Sequence, residues 1–259
     1  GSAWGFVISR SLTMIYTVVV MFTPLELIEL KIPVISEVLR SWVEVLRIAV
    51  PSTLSGLIGP VSMAIILFLL SPYGPAVIAG FGVASRIEML ATMIMMALAS
   101  STAPFIGQNW GARQFDRIHT AQKLGFQFCF GWGLLAAVVL AVFGRQIVGL
   151  INNDPAVIEA TYIYLLIIPV TFGLFGVSMI AGSTFVALGK PMPTLIMSLG
   201  RMLVLYVPMA FLGDRLWGYP GIFAATAAAN VLMGIVSVLW VRGMLRNEIG
   251  RALLVAQSD

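Results

Sequence analysis

Four ionisable side chains stand inside long apolar runs: Arg10, Arg86, Glu88 and Arg201. A charge at the centre of a bilayer costs roughly 2.5–3.5 kcal/mol on insertion scales, so such a residue ordinarily meets a partner or a wet cavity. Arg86 and Glu88 are two positions apart, which points them in different directions on a helix and does not make them a pair. Glu88 is therefore expected to face an arginine of another helix or an internal cavity. In a cavity its carboxylate would take up a proton or a cation. Against an arginine it would be a buried ion pair fixing helix packing. The residues leave both readings open.

No enzyme constellation accompanies these charges. His119 is the one histidine; it lies on a basic stretch without partners for a metal or an activated nucleophile. No phosphate-cradling glycine loop occurs, and serines and threonines in spans can bond their own helix backbone. Neither catalysis, a metal site nor a cofactor is expected. Cys129 is alone, which excludes a disulfide within the chain and suits a small buried hydrophobe. Fourteen methionines and fifteen phenylalanines suit lipid-facing and packing positions, and also an adaptable drug-binding wall.

The elements carrying these residues must be membrane spans. Hydrophobic residues make up 59% of the chain and charged ones 10%, with a mean hydropathy of +1.00, against roughly 25% charged in a globular protein. That excludes a soluble domain and makes the lipid bilayer the first partner. Seven runs have spanning length: 3–22, 46–70, 76–103, 124–143, 160–188, 192–212 and 221–241. Pro51 and Pro60 in the second run and Pro169 in the fifth predict kinks. Such kinks belong to moving or ligand-lined helices, or are purely structural. Asp154 followed by Pro155 reads as a helix cap and first helical residue. The stretch 23–44 contains Pro24 and Pro33. Ile35, Leu39, Trp42 and Leu46 recur there at helical spacing, an amphipathic helix suited to a membrane surface. The alanines 224, 225 and 227–229 permit close helix contact.

Basic residues divide unequally between the two sides of these runs. Lys31, Arg40, Arg47, Arg113, Arg117, Lys123, Lys190, Arg242, Arg246 and Arg251 share one side, and Arg145 and Arg215 the other. This places the C-terminus in the cytoplasm and the N-terminus outside. The net charge of +4 is thus topological, and no nucleic-acid partner is expected. The basic surface from Arg113 to Lys123 would meet anionic head groups. Before it, the third run is expected to break at Pro104 into a polar turn, in which Gly107 and Gly111 allow tight geometry and Gln108 and Asn109 bond helix-end carbonyls.

The segments GVASRIE and ALASSTAPFIGQNWGARQFDRI, and above all PFIGQNxGA, resemble the second helix and following cytoplasmic loop of one lobe of the multidrug and toxin extrusion (MATE) transporters. The resemblance extends more weakly from about Ser2 to Arg246. It implies an all-α integral membrane fold of two six-helix lobes. Residues 1–22 would be the last helix of the N-terminal lobe and 23–45 an amphipathic cytoplasmic linker. Residues 46–241 would form the six-helix C-terminal lobe, and 242–259 a basic cytoplasmic tail. The chain begins Gly1-Ser2 without a methionine and is expected to be a piece of a longer protein, the missing N-terminal lobe being its partner. The activity implied is efflux of a small organic compound across the bacterial inner membrane by alternating access, exchanged for H+ or Na+. The second, fifth and sixth runs hold no carboxylate, whereas some sodium-coupled members are expected to carry acidic ligands in the helices matching the second and fifth; the resemblance to proton-coupled members then implies a coupling carboxylate in the missing lobe, and the ion stays open. A lipid-linked oligosaccharide flippase of related fold is the alternative. A seven-helix receptor or a membrane-embedded enzyme is the remoter one.

Overall fold

The computed structural model describes the backbone of residues 2–22 and 35–258 and the side chains of residues 4–20 and 35–250. Residues 23–34 of the expected linker, with Pro24, Lys31 and Pro33, lie outside the described residues. So do the side chain of Arg251 and those of the rest of the tail. The chain divides into two compact units, 1–45 and 46–259.

In the first unit, α1 (Ser2–Phe22) is a 21-residue helix. Its described side chains, Trp4–Val20, form one continuous apolar stretch apart from Arg10 and a few hydroxyl residues. The Arg10 guanidinium lies 5.1 Å from the centroid of the Phe6 ring, one turn away.

Among the described residues, six further helical stretches are long and apolar enough to cross a membrane. The first is α2 (Ile35–Leu70), extended by a 3-10 turn, Ser71–Tyr73. It corrects the expectation of a separate surface helix: the amphipathic stretch beginning at Ile35 runs into the span without a break. No proline or glycine interrupts 35–50, and Arg40 and Glu44 pair one turn apart at 3.5 Å. The helix continues through both Pro51 and Pro60.

A second correction concerns α3 (Pro75–Gly111), which passes through Pro104, Gly107, Gln108 and Asn109 without unwinding. Proline removes one backbone donor, which a membrane helix tolerates, and the Asn109 amide returns to its own helix, donating to the Phe105 carbonyl at 2.8 Å. The turn comes later, at Ala112–Gln114. Arg113 N–H donates to the Trp110 carbonyl at 3.1 Å and Gln114 N–H to the Asn109 carbonyl at 2.8 Å. This is the two-bond helix stop whose pivotal residue takes a left-handed conformation. That residue is Arg113, at φ 55°, and neither Gly107 nor Gly111.

The remaining spans are α4 (Phe115–Gly149), the pair α5 (Pro155–Ile167) and α6 (Phe172–Ala187), the series α7 (Met192–Leu199) and α8 (Val207–Trp217), and α9 (Tyr219–Ser258). Asp154 caps α5 as expected, accepting from Ala156 N–H at 2.9 Å with Pro155 next to it. Pro169 divides α5 from α6 through a 3-10 turn, Pro169–Thr171. Between α7 and α8 the chain widens into a π-helical segment, Gly200–Tyr206. Small residues set the closest approaches. A Cβ added to Gly213 would lie 2.4 Å from the Gly221 carbonyl oxygen, and one on Gly221 would lie 2.0 Å from the Gly213 carbonyl oxygen. The backbones of α8 and α9 therefore touch, and no side chain fits at either position. Cys129 is fully buried, against the backbone of Gly176.

Candidate functional site

Three helices turn one stripe each toward a common space. On α3 the stripe is Met96, Ala99, Ser100 and Ala103. On α6 it runs from Phe175 through Ser178, Met179, Gly182 and Ser183 to Val186. On α7 it is Thr194, Met197 and Ser198, continuing to Arg201 in the π segment. Each follows i, i+3, i+4, i+7, the spacing that puts residues on one helix face. Because most of these side chains are small, the stripes leave a cavity of about 420 Å³, completed by Asn230 and Met233 of α9.

Arg201 is the one ionisable residue among those lining the cavity. It stands at the start of the π segment, a distortion that interrupts regular helix packing and recurs at functional sites. A short relay holds it. Arg201 Nη1 donates to Asn230 Oδ1 at 3.1 Å, Asn230 Nδ2 donates to Thr171 Oγ1 at 3.2 Å, and Thr171 Oγ1 donates to the Ile168 carbonyl at 2.8 Å. Thr171 and Asn230 are both buried. The break at Pro169 thus has a local consequence: its 3-10 turn presents Thr171 to the amide that orients the arginine. The Arg201 guanidinium also lies over the Phe175 ring, its carbon 5.8 Å from the ring centroid.

The other charges expected in spans are placed differently. Glu88 does not line the cavity; it accepts a hydrogen bond from the hydroxyl of Tyr164, whose ring packs edge-on against Phe81 and Phe223. Arg201 acts on Glu88 electrostatically, without a direct ion pair among the described residues. Arg86 is exposed on α3, and Arg10 belongs to the first unit. Pro51 and Pro169 are buried and Pro60 and Pro104 exposed. In the family-like segment Asn109 is buried while Gln108 and Gly111 are exposed. Sequence reasoning missed Asn230, Thr171 and Phe175. The repeated stripe of small, hydroxyl and methionine residues on three consecutive spans was the signal that could have found the cavity.

The MatE family profile matches residues 51–212, a range that takes in the α3, α6 and α7 stripes and Arg201. The chain belongs to the MatE family. Its sequence is 34% identical over 195 residues to a protein of Shewanella oneidensis described as an FAD transporter, covering 75% of this chain and 43% of that protein. It is 21% identical over 241 residues to the multidrug export protein MepA of Staphylococcus saprophyticus, covering 93% and 53%. Among solved structures it resembles the Vibrio cholerae MATE transporter VcmN in its bent form, with a TM-score of 0.77, 30% identity, and 83% and 48% of the two chains covered. It also resembles a MATE protein in the straight conformation at a TM-score of 0.86 and 23% identity, covering 97% and 57%, a likeness of fold. The chain spans about half the length of the relatives it matches. MatE proteins are multi-pass membrane transporters and not enzymes.

Proposed function

We propose that this MatE chain is the C-terminal lobe of a secondary exporter of small organic compounds in a bacterial inner membrane. The N-terminal lobe of the same protein is its partner and the C-terminus lies in the cytoplasm. Substrate leaves in exchange for inward-moving H+ or Na+, each state binding substrate and ion with different affinity so that one gradient drives the other. The observation that carries this reading is the cavity of about 420 Å³, whose walls come from three spans matched by the family profile and which contains one half-buried arginine. That size is within the range of small-molecule sites. A flavin dinucleotide cargo is a second reading, favoured by the 34% identity to the Shewanella relative.

The test is transport by the native gene product in proteoliposomes. With an imposed pH or Na+ gradient, a fluorescent organic compound should move against its own gradient, and an ionophore that collapses the ion gradient should stop it. Binding that is never accompanied by gradient-driven flux would sink the exporter reading and favour a receptor.

A further inference from the structure

Glu88 is held by Tyr164 outside the cavity lining, close enough to act on Arg201 electrostatically but without an ion pair to it among the described residues, so Arg201 is the one charged side chain that the described cavity walls present. A guanidinium carries five N–H donors, and Asn230 Oδ1 occupies one of them. Asn230 is neutral, so the bond fixes the direction of the guanidinium without cancelling its charge. Phe175 limits the group on one side. The cavity walls otherwise offer hydroxyls (Ser100, Ser183) and the soft apolar surface of Met96 and Met179, with no acidic side chain among the described lining residues. A wall of this composition in a low-dielectric surrounding focuses a positive potential on whatever enters. A positively charged compound would meet repulsion there, whereas an anion would gain charge-assisted hydrogen bonds, about twice as strong as neutral ones.

We propose that the cavity is an anion site. On this reading Arg201, aimed by Asn230 and backed by Phe175, binds the phosphate or carboxylate of an amphipathic substrate whose ring or apolar part lies against Phe175 and the methionines. The assignment rests on the exporter reading for its transport role, but the site itself is defined by binding. Phosphate chemistry reaches a membrane cavity from two sources, a soluble phosphate ester or a lipid phosphate, and the site recognises what they share.

The experiment compares two ligands with the same ring and different charge. Riboflavin and its 5′-phosphate, FMN, are titrated by flavin fluorescence into the native protein reconstituted in phosphatidylethanolamine vesicles, with ethidium as a cationic control. FMN is expected to bind at least about tenfold more tightly than riboflavin, and ethidium more weakly than either. In Arg201→Gln the FMN preference should fall to within about twofold, and Arg201→Lys should restore part of it. Equal affinity of the wild-type protein for FMN and riboflavin would overturn the proposal without any variant being needed. So would an FMN preference that survives in a folded Arg201→Gln protein. Adding a polyprenyl phosphate to the vesicles separates the sources: displacement of FMN assigns the site to a lipid phosphate, and unchanged FMN binding assigns it to a soluble one. FMN selectivity without gradient-driven flux of any of the three compounds would remove the exporter reading and keep the site. Flux of ethidium without FMN selectivity would do the reverse.

Discussion

Near Gly213 and Gly221 two helices are pressed together until backbone meets backbone; on the far side of Arg201 the same bundle holds open a cavity of about 420 Å³. At the first end the contacts are dense and specific. Tyr73 donates to Asp214 at 2.5 Å, and the rings of Tyr73, Tyr219, Phe223, Tyr164 and Phe81 pack in sequence, mostly edge to face. In the cavity half, serines, alanines and methionines replace the aromatic rings, and a charged group is held by a single amide. Both regions are rich in small residues, so residue size alone does not distinguish them. What differs is whether the facing helix closes onto the small residue or stands off from it. Gly213 meets another glycine, whereas the α3 and α6 stripes share their cavity with α7 and with Arg201, which stands where the helix widens into the π segment.

The comparison breaks first at its tight end. Gly213→Leu should destabilise the protein by more than about 4 kcal/mol, because neither backbone can move aside. Thermal unfolding in detergent would read this as loss of folded protein, and a normal melting temperature would show that the contact is not constraining. Asn230→Leu comes next. It removes the arginine's acceptor and leaves Thr171 without its amide partner, and should lower stability by about 2–3 kcal/mol in the same assay. The matching change in the cavity, Ser183→Met, also enlarges a small residue yet should shift stability by less than about 1 kcal/mol, since it fills space rather than displacing atoms; its effect should appear as weaker ligand binding. The smallest effect concerns two helix ends of the same design. After α6 the left-handed position is Gly189, at φ 69°, and after α3 it is Arg113. Arg113→Gly should stabilise the protein by about 0.5–1 kcal/mol by removing the Cβ conflict. A loss of stability instead would mean that the arginine side chain makes a compensating contact.

The spans were legible because bilayer thickness imposes a length and a polarity that no tertiary contact can override. Asp154 and Pro155 were legible because capping is local, and Arg201 stood out because a charge in an apolar run needs a reason. Asn230 and Thr171 gave no comparable sign. A neutral polar residue in a span is ordinarily satisfied by its own helix, and only the fold brings these two beneath the guanidinium. The turn after α3 misled for a related reason. Gly107 and Gly111 offered the conformational freedom a turn wants, but they lie before the helix end, and the chain used Arg113. The π segment had no signature at all; Gly200 begins it, yet glycine is common throughout these spans.

The glycine contact has a mechanical consequence. Twelve residues separate Arg201 from Gly213, about 18 Å along a helix. If the lobe rocks during a transport cycle, a joint with no side chains to compress is its stiffest point, and displacement grows with distance from it. A rotation of about 10° around that fulcrum would carry the guanidinium roughly 3 Å, the length of one hydrogen bond. A modest angular change at a fixed joint is then enough to break a hydrogen bond made by the guanidinium.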